Sequence, residues 1–138
     1  MHELKLQELD RLVRAAIEAR DQAYAPHSHF YVGAALMASD GIIVAGCNVE
    51  NASYSLSLCA ERVAASAAVA SGHRSWRAMS IASVGGVMPC GACRQFLSEF
   101  GPNLMLIMID VIDGARTTKK LSQLLPDAFD GSSLPSHA

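Results

Sequence analysis

Charge, aromatic residues and cysteine are all scarce in this chain. Charged residues make up 17% of its 138 positions and aromatics 6%, with one tryptophan and four cysteines. No apolar run reaches the roughly 18 residues that a membrane-crossing helix needs, so no membrane span is expected. The 11 Lys and Arg stand against 13 Asp and Glu, a net charge of −2. With no basic surplus, a nucleic-acid backbone is not the expected partner. From Met1 to Arg20 the residues Glu3, Lys5, Glu8, Asp10, Arg11 and Arg14 interrupt the leucines. A secretory signal needs an unbroken apolar stretch there, so a cytoplasmic protein is expected. What the chain does have is apolar bulk, 51% of its residues, enough for one core in a single domain over 1–138.

Leu9, Leu12, Val13, Ala16 and Ile17 recur at helical spacing and predict an amphipathic opening helix to about Tyr24, ended by Pro26. Tyr31 to Ala38 and Ile42 to Val49 read as strands joined by the hairpin signal Asp40-Gly41. The alanine-rich stretch from Leu58 to Ser71 reads as a buried helix closed by Gly72. Ala78 to Val84 reads as a strand, and Cys90 to Phe100 as a helix stopped by Gly101-Pro102. Leu104 to Ile109 is apolar without alternation, the pattern of an interior strand covered on both faces. A last strand follows Asp113-Gly114, then a short helix around Lys120 to Leu125 and a loop-like tail from Pro126. Helices alternating with strands predict an α/β fold, a mixed sheet of about five strands between helix layers.

In a reducing cytosol Cys47, Cys59, Cys90 and Cys93 are not expected to form structural disulfides. Cys59-Ala60-Glu61 and Cys90-Gly91-Ala92-Cys93 both fall at predicted helix starts, where partial positive charge and unpaired N–H groups favour thiolates. Three thiolates on two neighbouring helix ends suit zinc with an open fourth position, and Glu61 beside it suits proton transfer. Two other readings remain: a dithiol redox motif at Cys90 and Cys93, and a closed structural zinc site with Cys47 as fourth ligand. Cys47 reads more simply as a small buried hydrophobe.

Cys-Ala-Glu at 59–61 followed by Pro-Cys-Gly-Ala-Cys-Arg-Gln at 89–95 resembles the zinc-dependent cytidine deaminases. Tyr24 to Leu36, Gly46 to Tyr54 and Leu124 to Phe129 also look like that family's blocks. A cysteine at the first ligand position in so short a chain is similar to the homotetrameric class. The resemblance implies a three-layer α/β/α fold and one zinc ion per chain on Cys59, Cys90 and Cys93. It also implies hydrolytic deamination of cytidine and deoxycytidine, with hydroxide attacking C4 and Glu61 shuttling protons. Asn48 and Glu50, two positions apart at a strand end and so on one side, are implied to read the ribose 3′-hydroxyl. Ala60 and Phe30 are implied to border the base. Phe129 and Tyr54 are implied to sit where one subunit meets another's pocket. Arg62 and Arg94 each adjoin a ligand, and an arginine N–H directed at a thiolate would offset the negative charge of a three-thiolate metal.

His27 stands where relatives often have tyrosine, and the segment Ser83 to Met88 is about two residues shorter than in many of them, so both bear on substrate preference. A deaminase of a modified cytosine nucleoside, such as the blasticidin S deaminases, is the nearest rival, and the Asn48–Glu50 pair argues against it. His2, His73 and His137 read as solvated loop or terminal residues.

Overall fold

The computed structural model describes residues 3–135; His2 and His137 lie outside them. Helix α1 (Leu6–Arg20) is followed by strands β1 (Gly33–Ala38) and β2 (Ile43–Cys47), then α2 (Ala60–Ala70), β3 (Trp76–Ser83) and α3 (Gly91–Ser98). Strands β4 (Met105–Asp110) and β5 (Arg116–Lys120) and the short α4 (Leu121–Leu124) complete the described elements, with single 3₁₀ turns at Tyr54–Leu56 and Gly131–Ser133. The sheet runs β2-β1-β3-β4-β5, with β3 and β4 parallel and every other pair antiparallel. This is the expected mixed five-stranded sheet.

Alternation along each strand divides the core in two. Leu36, Met79, Ile81, Leu106 and Met108 face Ala60, Ala64, Ala65 and Ala68 of α2, Leu97 of α3 and Leu121 of α4. Ala35, Met37, Ala78, Ala82, Ile107 and Ile109 face Leu12, Val13 and Ala16 of α1. The unbroken apolar run of β4 is thereby explained: both its faces are covered. Among the described residues no helix is long and apolar enough to cross a membrane.

Several expected boundaries move by one or two residues, β2 ending at Cys47, not Val49, and β3 beginning at Trp76, not Ala78; two other shifts bear on the site. The opening helix stops at Arg20, not Tyr24. Tyr24 is drawn away into a parallel bridge with Val49, its N–H donating to the Asn48 carbonyl (3.0 Å) and its own carbonyl accepting from the Glu50 N–H (2.8 Å). Strand β1 begins at Gly33, not Tyr31, because the Asn48 side chain replaces the ladder there. Asn48 Oδ1 accepts the Val32 N–H (2.9 Å) and its Nδ2 donates to the Phe30 carbonyl (2.7 Å).

Helices dock onto the sheet at two glycines. A Cβ on Gly33 would stand 2.0 Å from the Ala16 carbonyl oxygen of α1, and one on Gly46 would stand 2.5 Å from the Ala64 nitrogen of α2. Both obstacles are backbone, which cannot swing aside. Gly33→Ala is therefore expected to cost at least about 2 kcal/mol and lower Tm by roughly 8 °C. Gly131→Ala, with nothing within 4 Å of the new Cβ, is the control. Equal melting of the two variants would contradict the close approach.

Candidate metal centre and active site

Cys59 is the N-cap of α2 and Cys90 the N-cap of α3, both in extended backbone, with Cys93 one turn into α3. The two helices pack on the same face of the sheet and their starts meet there. Their three sulfurs lie within 4.8 Å of one another, with Cys59 to Cys90 at 3.8 Å and Cys90 to Cys93 at 3.4 Å. Burial grades across the triad: Cys93 is buried, Cys59 half-buried and Cys90 exposed. Cys47 is a free, half-buried thiol on β2, pushed up from its ordinary pKa by burial. It is not part of the sulfur cluster, so the closed four-cysteine alternative is not built here.

The electrostatics of the cluster suit a cation. Hydrogen bonds from Cys93 and then from Arg62 hold the Cys59 thiol down to about 5. Its proton-sharing partner Cys93 is pushed up, by that same bond and by burial. Arg62 Nη2 lies 3.4 Å from Cys59 Sγ, and Arg62 Nε is buried with no partner. The guanidinium is thus directed at the sulfurs and offsets their charge. Three clustered sulfurs and one compensating arginine fit zinc, a borderline-soft ion that thiolates bind well. Glu61, in the first turn of α2, is only 6% exposed. Burial, followed by the nearby Cys59 thiolate, raises its pKa from 4.5 to about 6.

Beside the triad opens a cavity of about 300 Å³. Cys59, Cys90, Ala60 and Glu61 line it beside the triad, Asn48 and Glu50 also line it, and Phe30, Leu58, Ile81, Val87 and Met88 supply apolar walls. Glu50 is fixed from behind. Its Oε1 accepts the N–H groups of His27 (2.9 Å) and Ser28 (3.0 Å), and its Oε2 accepts from the Ser28 hydroxyl. These bonds, that of Ser28 foremost, hold the carboxyl below the usual carboxylate range. A second cavity of about 350 Å³ adjoins the first at Glu50 and Ser57 and is lined also by His27, Ser28, Asn51 and Tyr54. The His27 ring meets Tyr54 edge-on at 5.9 Å.

The remaining expected site residues stand apart from the first cavity. Tyr54 is 75% exposed and faces the second cavity. Phe129 is 58% exposed, with its carbonyl held by Gln95 Nε2 at 2.9 Å. Arg94 turns away from the sulfurs: its Nε donates to the Pro89 carbonyl (2.8 Å) and its Nη1 to that of Leu124 (2.9 Å). It braces the approach to Cys90, and Arg62 alone of the two bonds a thiol. His73 lies 3.6 Å from Asp40, away from both cavities. Sequence reasoning missed Ser28 as the support of Glu50 and missed Ile81, Val87 and Met88 as walls. No local pattern marks them, since only the fold brings these separated segments together.

Glu61 titrates near 6 in the fold against 4.5 in a free chain. Between those values the folded protein holds a proton that the unfolded chain has lost. The stability that this group contributes is therefore full below about pH 4.5 and is lost as pH rises through 6. In the metal-stripped protein, Glu61→Gln stays neutral and is expected to be more stable than wild type by about 2 kcal/mol near pH 8, a gain that shrinks toward acid. Denaturant titrations near pH 8 and at about pH 4.5 measure it. Equal stability near pH 8 would show that ionising Glu61 carries no cost.

Comparison with known proteins agrees with this geometry. The family model described as the cytidine and deoxycytidylate deaminase zinc-binding region matches residues 6–109. A cytidine deaminase of Sporosarcina psychrophila is 43% identical over 129 residues, covering 92% of this chain and 95% of that protein. One from Mycobacterium tuberculosis is 44% identical over 124 residues, covering 87% of this chain and 88% of that protein. The crystal structure of cytidine deaminase from Burkholderia pseudomallei superposes with a TM-score of 0.84 at 46% identity, covering 87% of this chain and 98% of that one. With most of its length matched and the three thiols and buried glutamate assembled at one cavity, the chain belongs to the zinc-binding cytidine and deoxycytidylate deaminase family.

Proposed function

We propose that this protein hydrolytically deaminates cytidine and 2′-deoxycytidine to uridine and 2′-deoxyuridine, releasing ammonia. The observation that carries this reading is one cavity lined together by cysteines of the thiol triad, a buried glutamate, Asn48 and Glu50. Cys59, Cys90 and Cys93 would hold zinc, which when bound acts as a Lewis acid and makes water a nucleophile near neutral pH. Glu61 moves the protons. Its raised pKa, about 6, lets it both accept and return a proton near pH 7. It takes one from the attacking water as oxygen bonds to C4 and passes it to ring N3. It then carries a proton to the amino group as the C4–N bond breaks. Water and a cytosine nucleoside become a uracil nucleoside and ammonia.

Glu50, held as a carboxylate by Ser28 and His27, is set to accept from a sugar hydroxyl. A site built for a hydroxyl rejects ligands without one. The same carboxylate favours a nucleoside over a nucleotide. Among the described residues no lysine or arginine lines either cavity, and an anion beside a phosphate is repelled. Phe30, at the cavity wall, offers a flat face to the base.

The assembly in this reading is a homotetramer whose sites are shared between chains. The exposed Phe129, its backbone anchored to α3 through Gln95, reaches into a neighbouring subunit, and Tyr54 lies at the same boundary. Four free cysteines suit a reducing cytosol, where such an enzyme would serve pyrimidine salvage.

The absorbance change on adding cytidine, measured beside a zinc-stripped control, is expected to show metal-dependent conversion to uridine and none of cytidine monophosphate. A zinc-loaded protein inert toward both cytidine and deoxycytidine would overturn the assignment in favour of a modified nucleoside. Glu50→Ala is expected to raise KM by roughly 10- to 100-fold, as loss of a charged hydrogen bond does, with zinc content unchanged; an unaltered KM would remove Glu50 from sugar recognition. For the shared site, Glu61→Gln and Phe129→Ala proteins are mixed and allowed to exchange subunits. Activity above the sum of the two is expected, and strictly additive activity would mean that each chain works alone.

A further inference from the structure

Between β3 and the metal-bearing start of α3 runs a short turn, 84–88, whose supports come from two strand ends. Ser83 and Asp110 end β3 and β4 and stand opposite each other in register. The buried Ser83 carbonyl accepts the N–H groups of Gly86 (3.3 Å) and Val111 (3.0 Å), and Ser83 Oγ accepts that of Val87 (3.1 Å). Asp110 Oδ1 accepts the N–H groups of Gly85 (3.2 Å) and Ile112 (3.0 Å), joining the turn after β3 to the turn after β4. Gly85 and Gly86 adopt φ of +92° and +58°, and a Cβ on Gly86 would stand 3.1 Å from the Asp110 nitrogen. Both the left-handed φ and the close backbone approach favour glycine there.

What this turn carries is functional. Val87 and Met88 are cavity wall, and Cys90 follows after the buried Pro89. Arg94 pins the far end by donating to the Pro89 carbonyl. Asp110 holds the near end without lining the cavity.

We propose that Asp110 is a positioning residue for the reaction. Its carboxylate oxygen bridges Gly85 and Ile112 and thereby sets where the Val87–Met88 wall stands and how Cys90 faces Cys59 and Cys93. A wall displaced by even about 1 Å spoils the fit of a bound reactant. A ligand thiol freed to swing loses metal faster. Hydrogen bonding to Oδ1, not negative charge, does this work, so the amide of asparagine supplies the same acceptor.

The test uses the zinc-loaded protein with Asp110→Ala and Asp110→Asn. Asp110→Ala is expected to raise KM for cytidine about tenfold, with kcat within about twofold, as befits the loss of one or two backbone hydrogen bonds. It is also expected to surrender zinc to a chromogenic chelator several-fold faster. Asp110→Asn is expected to match wild type in both. An Asp110→Ala protein that only melts earlier, with KM and zinc release unchanged, would make the clasp purely structural and overturn the proposal. So would an Asp110→Asn protein as impaired as Asp110→Ala. If Asp110→Ala does not fold, Ser83→Ala, which removes only the Val87 bond, is expected to shift both readouts about threefold, and no shift overturns the proposal. The KM arm rests on the nucleoside reading of the cavity; zinc release does not, so failure of one is distinguishable from failure of the other.

Discussion

Docking of α2 onto the sheet edge is the contact on which the metal site depends. Gly46 has no side chain, and Ala60, Ala64, Ala65 and Ala68 are fully buried against that face of the sheet. Backbone thus meets backbone, with the Ala64 nitrogen where a Gly46 Cβ would be. Larger side chains on either partner would lift the helix and carry Cys59 and Glu61 with it. The sulfurs of α2 and α3 meet within 4.8 Å, so little displacement can be absorbed. The alanine content that reads as mere helix propensity serves a packing distance.

That close docking concentrates negative charge where burial makes charge expensive. Cys59 is held as a thiolate, and Glu61 stands in the same helix turn. One guanidinium answers them, with Arg62 Nη2 on Cys59 and its Nε still without a partner. The site without its metal is therefore under-compensated. Bound zinc, two positive charges among three thiols, supplies what the protein leaves out, so folding and metal binding are linked in sign. A raised Glu61 is the useful residue of the same imbalance, since a carboxyl that resists ionisation can hand a proton back.

Much of this was legible in the sequence because it is written in local patterns. The helical spacing from Leu9 to Ile17, the Asp40-Gly41 hairpin signal and the unbroken run of β4 each correspond to an observed element. The thiols and Glu61 could be read because the chemistry of a helix start depends on adjacent residues. The two misplaced boundaries near the site have a common cause. Tyr24 and Tyr31 look helical and strand-like by neighbourhood, yet the Asn48 and Glu50 segment draws their surroundings into a separate arrangement. Arg94 shows the same limit. Adjacent to a ligand in sequence, it is aimed at Pro89 and Leu124 by the fold. Ser83 and Asp110 were invisible as supports of the cavity, since strand pairing alone sets them beside the 84–88 turn.

Asn48 and Glu50 join these strands of evidence. Neither is a loose side chain waiting at a pocket rim. Asn48 completes β1 by bonding Phe30 and Val32, and Glu50 ties down the backbone at His27 and Ser28. Phe30, itself a cavity wall, lies between the two anchors. The pair proposed to read the sugar therefore also shapes the wall proposed to meet the base. Bonds to backbone already order both side chains, so in the proposed reading the pocket would be spared the entropy of ordering them when a ligand arrives. At a strand end, residues two apart share a side, and Asn48 and Glu50 both bond the 27–32 segment and line the cavity.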